Sequence, residues 1–239
     1  MSRPRHGGVV DWPPYARVMT PEALVRAGTS WAAVPFVPEI SLLTAAEPFG
    51  LWDHTQRDDP PFWAFPWAGG QALARYVLDH PDTVAGRRVL DVASGSGLVA
   101  IAAAKAGATS VIAGDVDPNA VAAIGINARA NDAAAVTARA FDMAADDASP
   151  ARVVLVADVF YQPELAALAL RFLRRAAGDG ADVLVADPGR AFLPAADLSP
   201  LTSYQVPVLS VLEDTTVKTV TVFSMITKTL GRHSSQELT

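Results

Sequence analysis

The segment Arg88-Val-Leu-Asp-Val-Ala-Ser-Gly-Ser-Gly97 restricts the possible folds of this chain more than any other stretch. A short apolar run ends in small residues, and an alanine-rich helical stretch, Leu98 to Ala106, follows at once. The run is short enough for a strand and apolar enough to be buried on both faces. Gly95 and Gly97 let the backbone turn tightly and lie close to a ligand. Strand, small-residue turn and helix in that order open a doubly wound α/β sheet. In such sheets ligands bind outside the carboxyl ends of the strands.

The pattern continues downstream. Gly107 sits where a helix C′ residue is expected. Strands are expected at Arg88–Ala93, Ser110–Gly114, Ala135–Ala140, Arg152–Ala157 and Asp182–Ala186. Helices are expected at Gln71–His80, from Pro118 to about Asn131, and at Glu164–Ala177, with Pro118 favoured at a first helical position. Tyr204–Val211 and Val217–Ile226 read as two strands turning at Glu213-Asp214. Alternating strands and helices predict right-handed units and a parallel sheet. The last two strands lack an intervening helix, so that pair is expected to be antiparallel. The expected order is five strand–helix units and then a hairpin, giving a Rossmann-like, mostly parallel, seven-stranded sheet.

The first 66 residues differ, with ten of the 18 prolines. Pro4 to Pro14 reads as an unstructured lead, and Thr20-Pro21-Glu22 as a cap opening a helix to about Ala27. Val34 to Thr44 reads as a short edge strand, and Asp53 to Pro61 as a loop. The expected organisation is a proline-rich extension over 1–66 packed on a main domain over 67–227. A flexible tail over 228–239 follows.

Net charge is -6 and the sequence pI about 5.1, which opposes non-specific binding to nucleic acid. There are no cysteines, which excludes disulfides, thiolate zinc sites and a cysteine nucleophile. His6, His54, His80 and His233 have no metal-ligand spacing, so no metal is expected. No apolar run has the length of a membrane span, and no secretory apolar region follows Arg3 and Arg5, so a cytoplasmic protein without a membrane partner is expected.

Two cofactors compete for the glycine turn. Gly95-x-Gly97-x-x-Ala100 also fits a dinucleotide fingerprint, with Asp115 about 20 residues on. However, a dinucleotide site places an apolar residue where this chain has Asp91. A buried carboxylate there repels a pyrophosphate but suits a cofactor with a cationic amino-acid end and a sulfonium. Asp91 therefore favours S-adenosylmethionine. The simpler alternative is a bare strand-to-helix turn capped by Asp91 or Ser94. The cofactor candidates are Trp67, Asp91, Ser94, Gly95, Ser96, Gly97, Asp115, Val116, Phe141 and Asp142. Asp115 can accept from both ribose hydroxyls. Phe141 and Asp142 can stack on adenine and take its amino group. Against each stands an ordinary alternative: Phe141 and Trp67 as core aromatics, Asp142 and Asp117 as helix caps.

The fourth strand of the main domain ends in Val156-Ala-Asp158-Val-Phe160-Tyr161. A carboxylate beside aromatic rings suits a lysine acceptor. The amine must lose its proton before it reacts, its unperturbed pKa being about 10.4. An acid can orient it, and rings can hold its cationic forms. Asp158, Tyr161 and Phe160 are the catalytic candidates, against the reading of a strand-end acid with core aromatics. Arg190, in Asp187-Pro-Gly-Arg190, reads equally as a contact to an acidic substrate or a local partner of Asp187.

These residues carry a resemblance. The chain resembles family 16 of the seven-β-strand methyltransferases, and within it the lysine methyltransferases of electron transfer flavoprotein β subunit. Its carriers are Pro38-Glu-Ile40, Phe62-Trp63-Ala64, Trp67 to Tyr76, Leu90 to Gly97, Asp115-Val-Asp-Pro118, Asp158-Val-Phe-Tyr161 and Asp187-Pro-Gly-Arg190. The glycine turn marks only the superfamily. The last two motifs are much more specific. The resemblance implies S-adenosylmethionine-dependent methylation of a protein lysine, with Asp158 and Tyr161 at the acceptor. It also implies cofactor contacts from Trp67, the turn, Asp115 and Phe141. Ala93 stands where many members of the superfamily have the first glycine of the turn. Methylation of a small amine or heterocycle, and a non-enzymatic cofactor-binding module, are the alternatives.

Overall fold

A computed structural model describes residues 19–46, 48–55, 59–208 and 215–226. The proline-rich lead, the Glu213-Asp214 turn and the tail from Lys228 lie outside the described residues. The main sheet has seven strands: β3 (Arg88–Val92), β4 (Ser110–Asp115), β5 (Val136–Ala140), β6 (Val153–Ala157), β7 (Asp182–Asp187), β8 (Leu198–Pro207) and β9 (Val217–Met225). Their spatial order is β5-β4-β3-β6-β7-β9-β8. The first five pair in parallel, and β9 lies antiparallel between β7 and β8. The order reverses between β3 and β6, which opens a crevice at their carboxyl ends.

Local chemistry sets the helix ends. In α1 (Pro21–Gly28), Thr20 accepts from the amide of Ala23 at 3.3 Å, and Pro21 takes the first turn. In α5 (Pro118–Ala130), Asp117 accepts from Asn119 at 2.9 Å, so its capping reading holds. After α4 (Leu98–Lys105), Gly107 adopts φ +91°, as its C′ place demands. Helices α3 (Ala68–Asp79), α4 and α5 cover one face of the sheet, with Leu73, Val77, Ala100 and Ile124 in its core. The other face is covered by α6 (Pro163–Gly178) through Phe172 and Leu173.

The expected five strand–helix units prove to be three. Helices follow β3, β4 and β6, while β5 and β7 are followed by turns. Asp142, Ala144, Asp146 and Ser149 build the first of these connections from local side-chain–backbone bonds. β8 begins six residues before its expected start, because its ladder with β9 runs through Pro200 with a register shift.

The region before the main domain is more structured than expected. The single edge strand is a hairpin, β1 (Ser30–Val34) and β2 (Val37–Thr44), and α2 (Pro48–Thr55) takes the start of the expected loop. Apolar residues explain the hairpin's placement: Val37, Ile40 and Leu42 pack with Ile101 and Ala128 of α4 and α5. Leu24 and Val25 of α1 pack with Ala123 and Ile126 of α5. Three buried amides fasten these layers. Gln71 accepts from Phe36 N and donates to the Pro66 carbonyl. Asn131 exchanges two hydrogen bonds with the main chain of Ser41. Asn127 accepts from Leu43 N at 3.0 Å and donates to the Ser96 carbonyl at 2.8 Å, tying the hairpin to the glycine turn.

Asn127→Ala leaves both of those main-chain groups buried without a partner. We expect a loss of about 2–4 kcal/mol in urea denaturation, since each orphaned group costs roughly 1–3 kcal/mol. A loss below about 0.5 kcal/mol, the size of a typical surface substitution, would contradict this role.

Candidate functional site

The crevice is bordered by four aspartates from four neighbouring parallel strands. Asp91 lies in β3, Asp115 ends β4, Asp158 follows β6 and Asp187 ends β7. Each must recover in hydrogen bonds what it loses in hydration.

The β3–α4 turn supplies the first half. Ala93, Gly95 and Gly97 have φ of 52°, 56° and 84°. The left-handed conformation at Ala93 explains why glycine is usual there. The Asp91 carboxylate accepts from Ser94 Oγ at 2.5 Å and from Ala100 N at 3.1 Å. It therefore ties the turn to the start of α4, as the simpler reading of this turn held. Burial pushes the pKa of Asp91 up to about 7, despite these two donors. Asp115 accepts from Gly95 N at 2.9 Å and Asp117 N at 3.0 Å, and burial raises its pKa too.

Several cofactor candidates line this half, and others turn away. Ser94 and Gly95 are half-buried at the turn, Ser96 and Gly97 are buried beneath it, and Val116 is 64% exposed beside Asp115. Trp67 is half-buried, donates from Nε1 to the Phe62 carbonyl at 2.8 Å, and meets Phe62 edge-on. Phe141 is buried, with its ring edge-to-face on Phe172 of α6 at 5.7 Å. Gly114 has no side chain because a Cβ there would fall 2.6 Å from Phe141 Cβ. Asp142 is exposed and caps its own turn through Ala144 N. Phe141 thus packs as a core aromatic and Asp142 caps a turn.

The second half forms where β6 meets the start of α3. Asp158 adopts φ +54°, a left-handed conformation that aspartate tolerates better than most residues. Its Oδ2 accepts from Gly70 N at 3.2 Å, in the first turn of α3, where the helix dipole favours a negative charge. Its Oδ1 accepts from Arg190 Nη2 at 3.1 Å. A Cβ on Gly69 would overlap the carboxylate and lie 2.9 Å from the Ala186 carbonyl oxygen. Burial pushes the pKa of Asp158 up to about 6, with Arg190 opposing and Asp187 adding to the rise. Asp187 is buried. Its Oδ1 accepts from Gly189 N and Arg190 N, and Gly189 has φ +85°. That turn also brings Arg190 to Asp158, a partner that sequence reasoning missed.

Tyr161 is half-buried and packs on Phe62, with ring centroids 5.5 Å apart. Its pKa is pushed up to about 12, first by burial and then by Asp59, Asp115 and Asp158. Tyr161 thus feels carboxylates from both halves of the crevice. The structure corrects the expectation for Phe160. Its ring is 0% exposed, in the core with Val156 and α6, and forms no wall of the site. Gly69 and Gly70 were the missed contributors. Their signal was a glycine pair in a first helical turn, costly unless something must come close.

The residues fit S-adenosylmethionine. The buried Asp91 and the half-buried Asp115 carboxylates lie on adjacent strands beside an open glycine turn. Trp63 Nε1 is buried with no hydrogen-bond partner among the described residues, and the Trp63 Cα lies 3.8 Å from where Gly95 would carry a Cβ. Among the described residues no cluster of side chains could hold a metal, and no helix is long and apolar enough to cross a membrane.

Residues 72–181 match the family model of ribosomal protein L11 methyltransferase (PrmA). The chain is 34% identical over 175 residues to electron transfer flavoprotein beta subunit lysine methyltransferase of Xenopus laevis, covering 72% of this chain and 71% of that one. It is 39% identical over 158 residues to the protein of the same name from Danio rerio, covering 64% and 61%. Among solved structures, the Pyrococcus abyssi tRNA (uracil-54, C5)-methyltransferase in complex with S-adenosyl-L-homocysteine aligns with a TM-score of 0.52 at 16% identity, over 78% of this chain and 42% of that one. That likeness is one of fold.

Asp91 keeps its proton more readily when folded than when unfolded. Its contribution to stability is present below about pH 4 and is lost as pH rises through about 7. We expect Asp91→Asn, without ligand, to gain stability relative to the native sequence between pH 5 and pH 7.5 in urea denaturation. A stability difference that stays constant with pH would contradict the raised pKa.

Proposed function

The chain belongs to the electron transfer flavoprotein β-subunit lysine methyltransferase family, and from that premise we propose that its substrate is a lysine ε-amine of electron transfer flavoprotein β subunit. Its methyl donor is S-adenosylmethionine. The observation that carries this reading is the Asp158 carboxylate, 11% exposed, beside Tyr161 and across the crevice from the glycine turn.

S-adenosylmethionine supplies an electrophilic methyl group on a sulfonium. The protein's own part is to bind and orient. In this reading the turn of Ser94, Gly95, Ser96 and Gly97 leaves room for close approach of the cofactor, and Asp115 receives the ribose hydroxyls. Asp91 braces the turn from below and adds negative potential near the cationic end. Trp67 and Val116 flank the pocket. Phe141 shapes its floor from the core, and Asp142 holds the turn behind it.

At the other side Asp158 accepts a hydrogen bond from the amine and directs its lone pair toward the methyl group. Alignment of the two reacting atoms is the main lever on such a displacement. The Tyr161 ring, braced by Phe62, offers a face to the aliphatic stem and to the methylated cation. Phe160 supports this strand end from within. An acidic chain suits a lysine-bearing protein substrate better than a nucleic acid.

Residues 67–227 form the methyltransferase domain in this proposal, and the packed part of 1–66 backs the cofactor turn. The cysteine-free composition supports work in the cytoplasm.

Asp158→Ala is expected to reduce methyl transfer to purified electron transfer flavoprotein by about 10³-fold or more, the scale of a lost acid–base or orienting group. Its affinity for S-adenosylhomocysteine by calorimetry should stay within severalfold of the native value. Equal losses in both measurements would mean that Asp158 belongs to the cofactor pocket.

A further inference from the structure

The geometry points to Arg190 as a positioning residue that balances the charge of Asp158, so that the acceptor lysine is held as a neutral amine. This rests on the reading of Asp158 as the acceptor carboxylate.

An isolated carboxylate facing a lysine creates a conflict. It attracts the ammonium ion, and by stabilising that ion it raises the lysine pKa and removes the nucleophile. Burial sharpens the conflict, because charges interact more strongly away from water. The structure counters it. Asp158 already holds a cation, the Arg190 guanidinium at 3.1 Å, and only 22% of that arginine's side chain is exposed. An arginine stays charged across the working range of pH, so the pairing persists wherever Asp158 is ionised, above about pH 6.

The surroundings indicate which groups set the local field. Tyr161 follows Asp158 on the same strand end, and its high pKa keeps the phenol neutral. From α3, Gly69 and Gly70 bring main chain, and the first turn carries no charged side chain. From the end of β7, Asp187 adds a second negative charge near Asp158. Lys218 of β9 acts on Asp187, and Asp59 and Asp115 act on Tyr161. Among the described residues, Arg190 is the cation in hydrogen-bond contact with Asp158. Two features are devoted to keeping it there: the double acceptance at Asp187 Oδ1 and the left-handed Gly189.

With the charge balanced, Asp158 acts on the amine as a dipole and a hydrogen-bond acceptor. The lysine gives its extra proton to solvent before the reaction. Its lone pair then forms the C–N bond while the S–CH₃ bond breaks and its electrons stay on sulfur. The amine enters neutral and leaves as a methylated cation.

The test is single-turnover transfer from S-adenosylmethionine to purified electron transfer flavoprotein, followed between about pH 6 and 10, a range that brackets lysine deprotonation. Single turnover isolates the chemical step from product release. Arg190→Gln should move the alkaline limb of the rate profile up by about one pH unit and lower the rate near pH 7 by about tenfold, one unit being a factor of ten in the neutral fraction. Arg190→Lys, which keeps the charge, should restore the native limb. Arg190→Met serves as a second neutral variant, and calorimetry with S-adenosylhomocysteine checks that each variant folds. A rate lowered by the same factor at every pH would overturn the charge-balancing role and leave the lysine-acceptor reading intact. No transfer by the native protein at any pH would overturn both.

Discussion

A carboxylate removed from water costs several kcal/mol unless new donors replace its hydration. This protein places four such groups side by side, at the ends of β3, β4, β6 and β7. The donors come mainly from main chain: Ala100 for Asp91, Gly95 and Asp117 for Asp115, Gly70 for Asp158, Gly189 and Arg190 for Asp187. Each bond fixes a turn, so the crevice gets its shape from how the protein solves this burial problem. The glycines and the left-handed residues follow from it. Gly69 is small because Asp158 must reach the start of α3, and Asp158 itself adopts a left-handed backbone there.

The two halves are supported differently. The cofactor half stands on α4 and α5, and the N-terminal hairpin reinforces it through Asn127, which holds the Ser96 carbonyl and Leu43 together. The acceptor half stands on α3 and the turn after β7. Gln71 joins the two, with bonds to Phe36 of the hairpin turn and to Pro66 at the entry to α3. The aromatic row of Tyr161, Phe62 and Trp67 runs along the same border. On the far side of the sheet a single helix, α6, leaves local turns such as Asp142–Asp146 to cover the rest.

Much of this was legible in sequence because it rests on local chemistry. Pro118 after Asp117, Gly107 after an alanine helix and the Asp91–Gly97 turn each declare themselves within a few residues. The hairpin was hidden because proline punctuation at Pro35 and Pro38 resembles a loop, and its partners lie on distant helices. Aromatic roles were equally illegible. Phe160 and Tyr161 are adjacent, and the turn after β6 buries the first completely while leaving the second at the crevice. Phe141 carried two readings, adenine platform and core aromatic, and its contact with Phe172, 31 positions later, is a tertiary fact. Arg190 had two sequence-level readings in view; its main chain meets Asp187, and its guanidinium also reaches Asp158, 32 positions away, which only the fold reveals.

The most direct test of the central claim follows where the methyl group goes. Purified protein would be incubated with tritium-labelled S-adenosylmethionine and a lysate of its own organism, and the label then traced by fractionation and peptide mass spectrometry. The account predicts label on a lysine of electron transfer flavoprotein β subunit. Label confined to nucleic acid or to extractable small molecules would contradict it.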